Sequence, residues 1–349
     1  MLTFLNGRTG RILACCGTLV AAACLSGEDT TPASPRGPYE ICALNLPIRP
    51  RAGSPEYFRR KIDLLADRGY DAVILGLGGT AISAYTMPTP GTLSYAPWQR
   101  KDVQRLANHA RSRGMQVIVE VKIAGKQHSV LKPLLQEFPD LVSGGARHHR
   151  GVLDHRHPMP GGTSAQQVVI EAILDEAIAL AQPARYVFLG TDEVAVEALE
   201  TMGKRYGMTA AEFFADAVNQ STEYLLARDI TPIMYGDMFI SDALAAPGHG
   251  VRTFDHDPRF LELTGPKHAN FPNSNGVSVV TAMNDLRHRD RIIVCNWNYK
   301  ETDVFPAVDY FQAMGFLDVW PMTFNDEENI RAFAGYGAQR GCGGISASV

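Results

Sequence analysis

The fold is decided by one strand-helix-strand unit near the beginning of the chain: EICALN at residues 40–45, SPEYFRRKIDLLADRG at 54–69 and AVILGL at 72–77. The two outer runs are short and apolar, as buried strands are. The middle run begins with a Ser-Pro pair, which is typical of a helix start, and ends at Gly69, which is typical of a helix stop. Its apolar residues recur on one helical face. The unit therefore predicts two parallel strands joined by a helix that packs on them.

The same alternation runs through the rest of the chain. Further strands are predicted at 116–121, 186–189, 231–235, 291–296, 317–320 and 344–348, and further helices at 101–114, 165–181, 210–228 and 307–314. Eight strands that alternate with helices predict an α/β fold, a (β/α)8 TIM barrel. An open, doubly wound sheet is the alternative, but no G-x-G-x-x-G motif follows the first strand. Because the chain stops inside or just after the eighth strand, we expect the barrel to lack its final helix.

Residues 1–23 are typical of a signal peptide. Two arginines and no acid precede the apolar run 12–23, which is too short to span a bilayer and ends in small residues. Cleavage after Ala23 and lipidation of Cys24 both stay open, and lipidation would attach the protein to a membrane. Residues 24–37 predict a flexible tether, which leaves 38–349 for the barrel. We therefore expect a bacterial protein that is exported, either periplasmic, an outer-membrane lipoprotein or secreted.

The composition argues against several classes of function. The chain has 349 residues, with 33 Lys and Arg against 37 Asp and Glu, which gives a formal net charge of −4. This balance provides no basic surface for nucleic acid. The cysteines lack the spacing of metal ligands, and the four histidines between residues 148 and 157 match no familiar metal site. We therefore expect no metal and no cofactor.

Polar side chains cluster where the predicted strands end. In a TIM barrel, the groups that act on a substrate lie at the carboxyl ends of the strands and in the loops after them. Carboxylates and tryptophans dominate at these positions, a combination that suits a sugar because an indole stacks on its apolar face while carboxylates bind its hydroxyls. The strand-end residues are Asn45, Glu120, Lys122, Asp192, Glu193, Asp237, Asn296, Trp297, Trp320 and Asp326.

The sharpest of these strand ends is YVFLGTDEV at residues 186–194, where an apolar strand leads through Gly-Thr to the adjacent acids Asp192 and Glu193. Adjacent side chains on an extended or turning backbone point in different directions, so the two carboxylates can do two different jobs on one substrate. The alternative is that they begin the next helix, since acidic residues are favourable near a helix N-terminus.

This run resembles the H-x-G-G-D-E signature on the fourth strand of family 20 glycoside hydrolases, the β-N-acetylhexosaminidases. Other stretches are similar to motifs of that family in matching order: 95–120 to its helix and third strand, 124–126 to its P-G-H, 138–141 to its Y-P-E-L, 233–238 to its fifth-strand W-x-D, and 294–297 to its sixth-strand Trp. Three positions depart from the family pattern: Phe188 replaces the signature His, Thr191 its second Gly, and Lys126 the P-G-H histidine.

The resemblance implies a retaining hydrolase that removes terminal N-acetyl-β-hexosamine residues from an oligosaccharide or glycoconjugate. In such a reaction the 2-acetamido group of the substrate itself attacks the anomeric carbon. By motif position, Glu193 would be the general acid and then the base, and Asp192 would orient the acetamido group. Asp237, Trp297 and Trp320 would form the sugar pocket.

Three more residues complete the expected substrate site. Glu120 ends the third predicted strand, and His128 lies in a loop at the same end of the barrel. The first strand lacks the family's D-x-x-R, whose arginine holds sugar hydroxyls, and the resemblance implies that Arg49 or Arg51 in the following loop substitutes for it. Two alternatives to this function stay open: a non-catalytic carbohydrate-binding TIM barrel, and a glycosidase of different substrate specificity.

Overall fold

The structure is a computed structural model that describes residues 38–48, 53–77, 84–86, 92–94, 100–125, 131, 134–143, 151–240, 282–298, 302–324 and 326–348. Several sequence predictions lie outside these ranges. They are the signal peptide at 1–23, the tether at 24–37 with Cys24, and the candidate residues Arg49, Lys126 and His128.

Eight parallel strands close into one barrel, which confirms the predicted (β/α)8 fold and excludes the open sheet. Around the barrel each strand pairs with its neighbours in the sequence, and β1 pairs with β8 through the register of Ile41 opposite Gly344. The strands are β1 Ile41–Pro47, β2 Ala72–Gly76, β3 Gln116–Lys122, β4 Tyr186–Gly190, β5 Thr231–Tyr235, β6 Ile293–Trp297, β7 Asp318–Thr323 and β8 Gly344–Ser348.

Helices connect successive strands of the barrel, and β8 is the last element that the structure describes. The longer helices are α1 Pro55–Asp67, α2 Arg100–Ser112, α3 Glu171–Ala181, α4 Val196–Lys204, α5 Ala210–Leu226, α6 Pro306–Ala313 and α7 Glu327–Gln339. Two of them, α4 and α7, were not predicted from the sequence. None of the helices in the described part of the chain combines the length and apolar character needed to cross a membrane.

Short elements fill the connections between the barrel strands. Strand pairs join Ala84–Thr86 to Thr92–Ser94, Val142–Ser143 to Val152–Leu153, and Pro158–Met159 to Thr163–Ser164. One-turn helices lie at Leu134–Glu137, Pro139–Leu141, Pro160–Gly162, Asp237–Phe239, Ala282–Asp285 and Arg289–Arg291, and a π-helical turn at Gln166–Ile170 leads into α3.

Side-chain caps explain where several helices begin. The hydroxyl of Ser54 accepts a hydrogen bond from the backbone N–H of Tyr57 at the start of α1, where Pro55 needs no hydrogen-bond partner. Thr209 and Glu212 form a reciprocal capping box at the start of α5. Asp326 caps α7 by accepting from the backbone N–H of Asn329. These caps satisfy backbone donors that a helix cannot pair internally.

The apolar core has two layers, one between the strands and the surrounding helices and one inside the barrel. Trp320 belongs to the inner layer. Its indole N–H donates to the Oδ2 atom of Asp318 at the beginning of β7, over 2.8 Å, and its ring lies edge-on to Tyr186, the first residue of β4. Trp320 therefore lies towards the amino ends of the strands, inside the core.

The connection between β3 and α3 is anchored to α4 and α5 by buried polar residues. His155 is 1% exposed, and its Nε2 atom lies 2.8 Å from Oδ2 of Asp216 on α5. Asp154 receives hydrogen bonds from Arg205 and Tyr206, which follow α4. Burial in this tightly paired cluster gives His155 a structural role in holding the connection in place.

Gly344 at the start of β8 allows Trp320 to occupy the barrel interior. A Cβ atom at position 344 would lie 2.3 Å from Cε2 of Trp320, far inside van der Waals contact. We predict that Gly344→Ala lowers the free energy of unfolding by about 1 to 3 kcal/mol, the usual cost of overpacking a core. Urea denaturation measures this change.

The matched control is Gly335→Ala on α7, where an added Cβ meets nothing within 4 Å. Because alanine is a better helix residue than glycine, this change should stabilise the protein by about 0.5 to 1 kcal/mol. Equal stabilities of the two variants would contradict the packing described for Trp320.

Candidate active site at the barrel mouth

The carboxyl ends of the eight strands meet at one mouth, and the structure brings five of the predicted site residues together there. Glu120 lies on β3, Asp192 and Glu193 follow β4, Asp237 follows β5, and Trp297 ends β6. Trp320 does not join them, because it lies in the core near the amino ends of the strands. Arg49 and His128 lie outside the described residues.

A buried hydrogen-bond network forms the floor of the mouth. The amide of Asn45 on β1 donates to Oε2 of Glu120 over 2.7 Å and to the hydroxyl of Tyr235 on β5 over 3.2 Å. The Tyr235 hydroxyl in turn donates to the same Oε2 atom over 3.3 Å. Glu120 is 5% exposed. Its carboxylate is therefore held from two other strands and largely closed off from solvent.

Lys122 lies between two carboxylates of this site. Its Nζ atom is 2.6 Å from Oε1 of Glu120 and 2.5 Å from Oδ1 of Asp192, and it lies 5.1 Å from the centre of the Tyr235 ring. The side chain crosses Gly190, where a Cβ atom would be 2.3 Å from Cδ of Lys122. The glycine in the YVFLG strand is therefore needed for this close approach.

The two adjacent acids are not the start of a helix, which removes the alternative interpretation of that dipeptide. Helix α4 begins at Val196 with Ala195 as its N-cap. Glu193 has a φ of 51°, a left-handed conformation that is uncommon for residues other than glycine. Its backbone N–H donates to Oδ2 of Asp237 over 3.0 Å. Asp237 thus fixes the backbone of the turn at Glu193.

Asp237 begins a one-turn helix after β5 and is completely buried. Burial raises the pKa of this carboxyl group to about 7, and the negative charges of Asp192 and Glu193 add to the shift. Hydrogen bonds from the Glu193 backbone and the Trp297 side chain favour the carboxylate and offset part of it. Asp237 therefore changes its protonation state near neutral pH.

The residues that depart from the family signature have structural roles. Thr191 connects β4 to β5, because its hydroxyl accepts from the backbone N–H of Tyr235 over 3.1 Å and donates to the Tyr235 carbonyl over 3.2 Å. Phe188 is completely buried inside the barrel, with its ring 4.5 Å from the Tyr235 ring. Both residues therefore contact Tyr235 on β5.

Lys122 and Asn45 were recognised from the sequence as strand-end residues without a role, and Tyr235 was not recognised. The alternation of side chains along a strand is a signal for Lys122, since residues 120 and 122 point to the same face. Tyr235 is the last residue of β5, so the strand-end rule applies to it as well. Within the described ranges, no cluster of three or more histidine, cysteine or acidic side chains is arranged to hold a metal ion.

The sequence matches no known family profile and no curated protein. Solved structures do resemble it. Flavobacterium johnsoniae chitobiase aligns with a TM-score of 0.55 at 12% identity, over 88% of this chain and 44% of that chain. The β-N-acetylhexosaminidase of Bacteroides fragilis gives 0.55 and 12%, over 89% of this chain and 60% of its own.

A family 20 exo-β-N-acetylglucosaminidase from Vibrio harveyi, solved with N-acetylglucosamine, gives a TM-score of 0.52 at 15% identity, over 89% of this chain and 50% of that chain. The chain thus spans between 44% and 60% of the lengths of these three proteins. The resemblance seen in the sequence motifs is confirmed at the level of the fold: the chain has the TIM-barrel fold of these family 20 β-N-acetylhexosaminidases, at 12% to 15% sequence identity.

Proposed function

We propose that the protein is a retaining glycoside hydrolase that removes terminal N-acetyl-β-hexosamine residues from glycans. The observation that carries this proposal is the position of Asp192 and Glu193 at the mouth of a barrel of the family 20 fold. Both acids follow β4 after Thr191. Asp192 is held by Lys122 at the end of β3, and the backbone of Glu193 is held by Asp237 after β5.

Glu193 is the general acid and base in this proposal. Its side chain is partly exposed, so it can reach a glycosidic oxygen, while its backbone is fixed by Asp237. In the first step Glu193 protonates the leaving oxygen as the acetamido oxygen of the substrate attacks the anomeric carbon, which yields a cyclic oxazolinium. In the second step the Glu193 carboxylate removes a proton from the water that opens this ring.

Asp192 orients the acetamido group in this proposal. Its side chain is 15% exposed, so it lies at the boundary between the buried network and the open mouth. A carboxylate in this position accepts a hydrogen bond from the acetamido N–H and stabilises the positive charge that develops on the nitrogen. Positioning the acetamido oxygen beside the anomeric carbon makes the attack effectively intramolecular.

Asp237 contributes to this chemistry indirectly. Because it is fully buried, it acts through the Glu193 backbone. Trp297, at the end of β6, is 4% exposed and is therefore also buried. We place the direct contacts to the sugar on Glu193, Asp192 and the rim of the mouth.

A glycan-binding barrel without hydrolysis is the second candidate. The observation in its favour is that Asp192 already has an internal cationic partner, Lys122, before any substrate binds. Saturable binding of N-acetylglucosamine without hydrolysis at any pH from 4 to 8 would favour this candidate over the enzyme.

The first prediction concerns Glu193. Glu193→Gln should lower the kcat for an aryl N-acetyl-β-glucosaminide by about 10² to 10⁴ fold, because it removes the proton donor to the leaving oxygen. The matched control is Glu200→Gln on α4, which removes a carboxylate paired with Lys204 on the outside of the barrel. The control should keep the wild-type rate, and equal rates for Glu193→Gln and the wild type would overturn the assignment.

A second prediction concerns the nucleophile. If the acetamido oxygen attacks, an aryl β-glucoside, which has a hydroxyl at that position, should turn over at least about a hundredfold more slowly. A thiazoline analogue of the oxazolinium should inhibit competitively and bind more tightly than the substrate does. Comparable turnover of the two aryl glycosides would point to a glycosidase with a different mechanism.

A third prediction concerns Asp237. Its pKa is about 7 in the folded protein against an ordinary value of 3.8, so between these pH values the folded state holds one proton more than the unfolded state. This proton makes the wild type lose stability as pH rises through that window, by up to about 1.4 kcal/mol per pH unit. Asp237→Asn keeps an oxygen that can accept from Glu193 and removes the titration, so the variant should lack this slope.

Urea denaturation at several pH values between 4 and 7 measures the slope. The exposed Asp303→Asn variant is the control and should retain the wild-type pH dependence. The same slope in the wild type and in Asp237→Asn would show that Asp237 does not hold a proton near neutral pH.

A further inference from the structure

Lys122 differs from an ordinary surface lysine in its surroundings. Its side chain is 9% exposed, and the two carboxylates that it contacts, on Glu120 and Asp192, are 6% and 15% exposed. Charge-assisted hydrogen bonds of 2.5 to 2.6 Å in a site shielded from water are stronger and more directional than surface ion pairs. The ammonium group therefore occupies a defined position in the mouth.

The position of the ammonium group is determined by the residues that hold Glu120. Glu120, which binds Lys122 through Oε1, is itself held at Oε2 by the Asn45 amide and the Tyr235 hydroxyl. The Tyr235 ring lies 5.1 Å from the ammonium, within the range of a cation-π interaction. Residues from β1, β3 and β5 thus determine where the ammonium meets Asp192 after β4.

Gly190 provides the space for this contact. Its backbone is not left-handed, so glycine is not needed there for its conformational freedom. A Cβ atom would instead lie 2.3 Å from Cδ and 2.8 Å from Nζ of Lys122. Glycine at position 190 therefore leaves the space that the Lys122 side chain occupies.

We propose that Lys122 is a positioning residue of the active site. Its ammonium group binds Glu120, its side chain occupies the space that Gly190 leaves open, and it thereby fixes the orientation of the Asp192 carboxylate. With Oδ1 of Asp192 held, the direction in which its second oxygen faces is fixed as well. The inference rests on the proposed function, since it assigns to Lys122 the alignment of the residue that orients the acetamido group. Lys122 acts through Asp192 and makes no contact with the reacting atoms.

The test separates charge from position. Gly190→Ala keeps every charge and displaces Lys122, whereas Lys122→Ala removes the ammonium. Each variant should lower kcat for an aryl N-acetyl-β-glucosaminide by about tenfold or more and change KM less than about threefold, because alignment of Asp192 matters most in the transition state. The double variant should be no slower than Lys122→Ala alone, since the lysine side chain that the added methyl group displaces is then absent.

Wild-type kcat in Lys122→Ala or Gly190→Ala would overturn the proposal, and so would losses that multiply in the double variant. Lys204→Ala is the matched control, because this exposed lysine pairs with Glu200 outside the mouth, and it should keep the wild-type kcat. If Lys122→Ala does not fold, the comparison is repeated in a Glu120→Gln/Lys122→Ala background, in which one uncompensated carboxylate has been removed.

A readout without activity separates this inference from the proposed function. Gly190→Ala should lower the thermal midpoint in the wild-type background and lower it much less in the Lys122→Ala background. Equal losses in both backgrounds would refute the contact between Gly190 and Lys122. If the variants show the expected midpoints but the wild type hydrolyses no N-acetyl-β-hexosaminide, the contact between Gly190 and Lys122 stands, while the proposed function and the positioning role of Lys122 in it are refuted.

Discussion

The ammonium group of Lys122, placed between the carboxylates of Glu120 and Asp192, is the interaction on which the mouth of the barrel depends. Two ionised carboxylates that are largely removed from water repel each other, and a cation between them offsets both this repulsion and the cost of desolvation. Removing one partner of such a set leaves the others uncompensated. The arrangement therefore links β3 electrostatically to the turn after β4, in addition to the backbone hydrogen bonds of the sheet.

Barrel closure is what brings these groups together. Glu120 and Asn45 are 75 residues apart in the chain, and Asp237 and Glu193 are 44 apart, yet both pairs are hydrogen-bonded. In a closed parallel barrel all carboxyl ends of the strands face one side, so short polar segments after different strands meet without a long loop to carry them. The site therefore depends on the register between neighbouring strands and not on long connecting loops.

The strands could be predicted from the sequence to within about three residues at each end because short apolar runs bounded by turns have few other interpretations. The same small errors explain the position of Trp320. The predicted strand ended at this residue, which would place it at the mouth, but β7 continues to Thr323, so Trp320 lies in the half of the strand nearer its amino end. Helix α7 escaped prediction because it contains Gly335 and Gly337, which are poor helix residues. Tertiary packing overrides that propensity: a Cβ at position 337 would lie 2.4 Å from Pro321 on β7, so a glycine there lets the helix approach the sheet.

An apolar layer below the mouth supports the charged site, although Phe188 in this layer departs from the family 20 signature. Phe188 and Tyr235 pack together inside the barrel, and the Tyr235 hydroxyl faces Glu120 above them. This apolar layer closes the barrel interior below the polar network and lowers the local polarity around it. The same exclusion of water strengthens the bonds of Lys122 and raises the pKa of Asp237. A histidine at position 188 would bring a polar group into this layer, whereas the phenylalanine keeps the layer apolar beneath Glu120 and the Tyr235 hydroxyl.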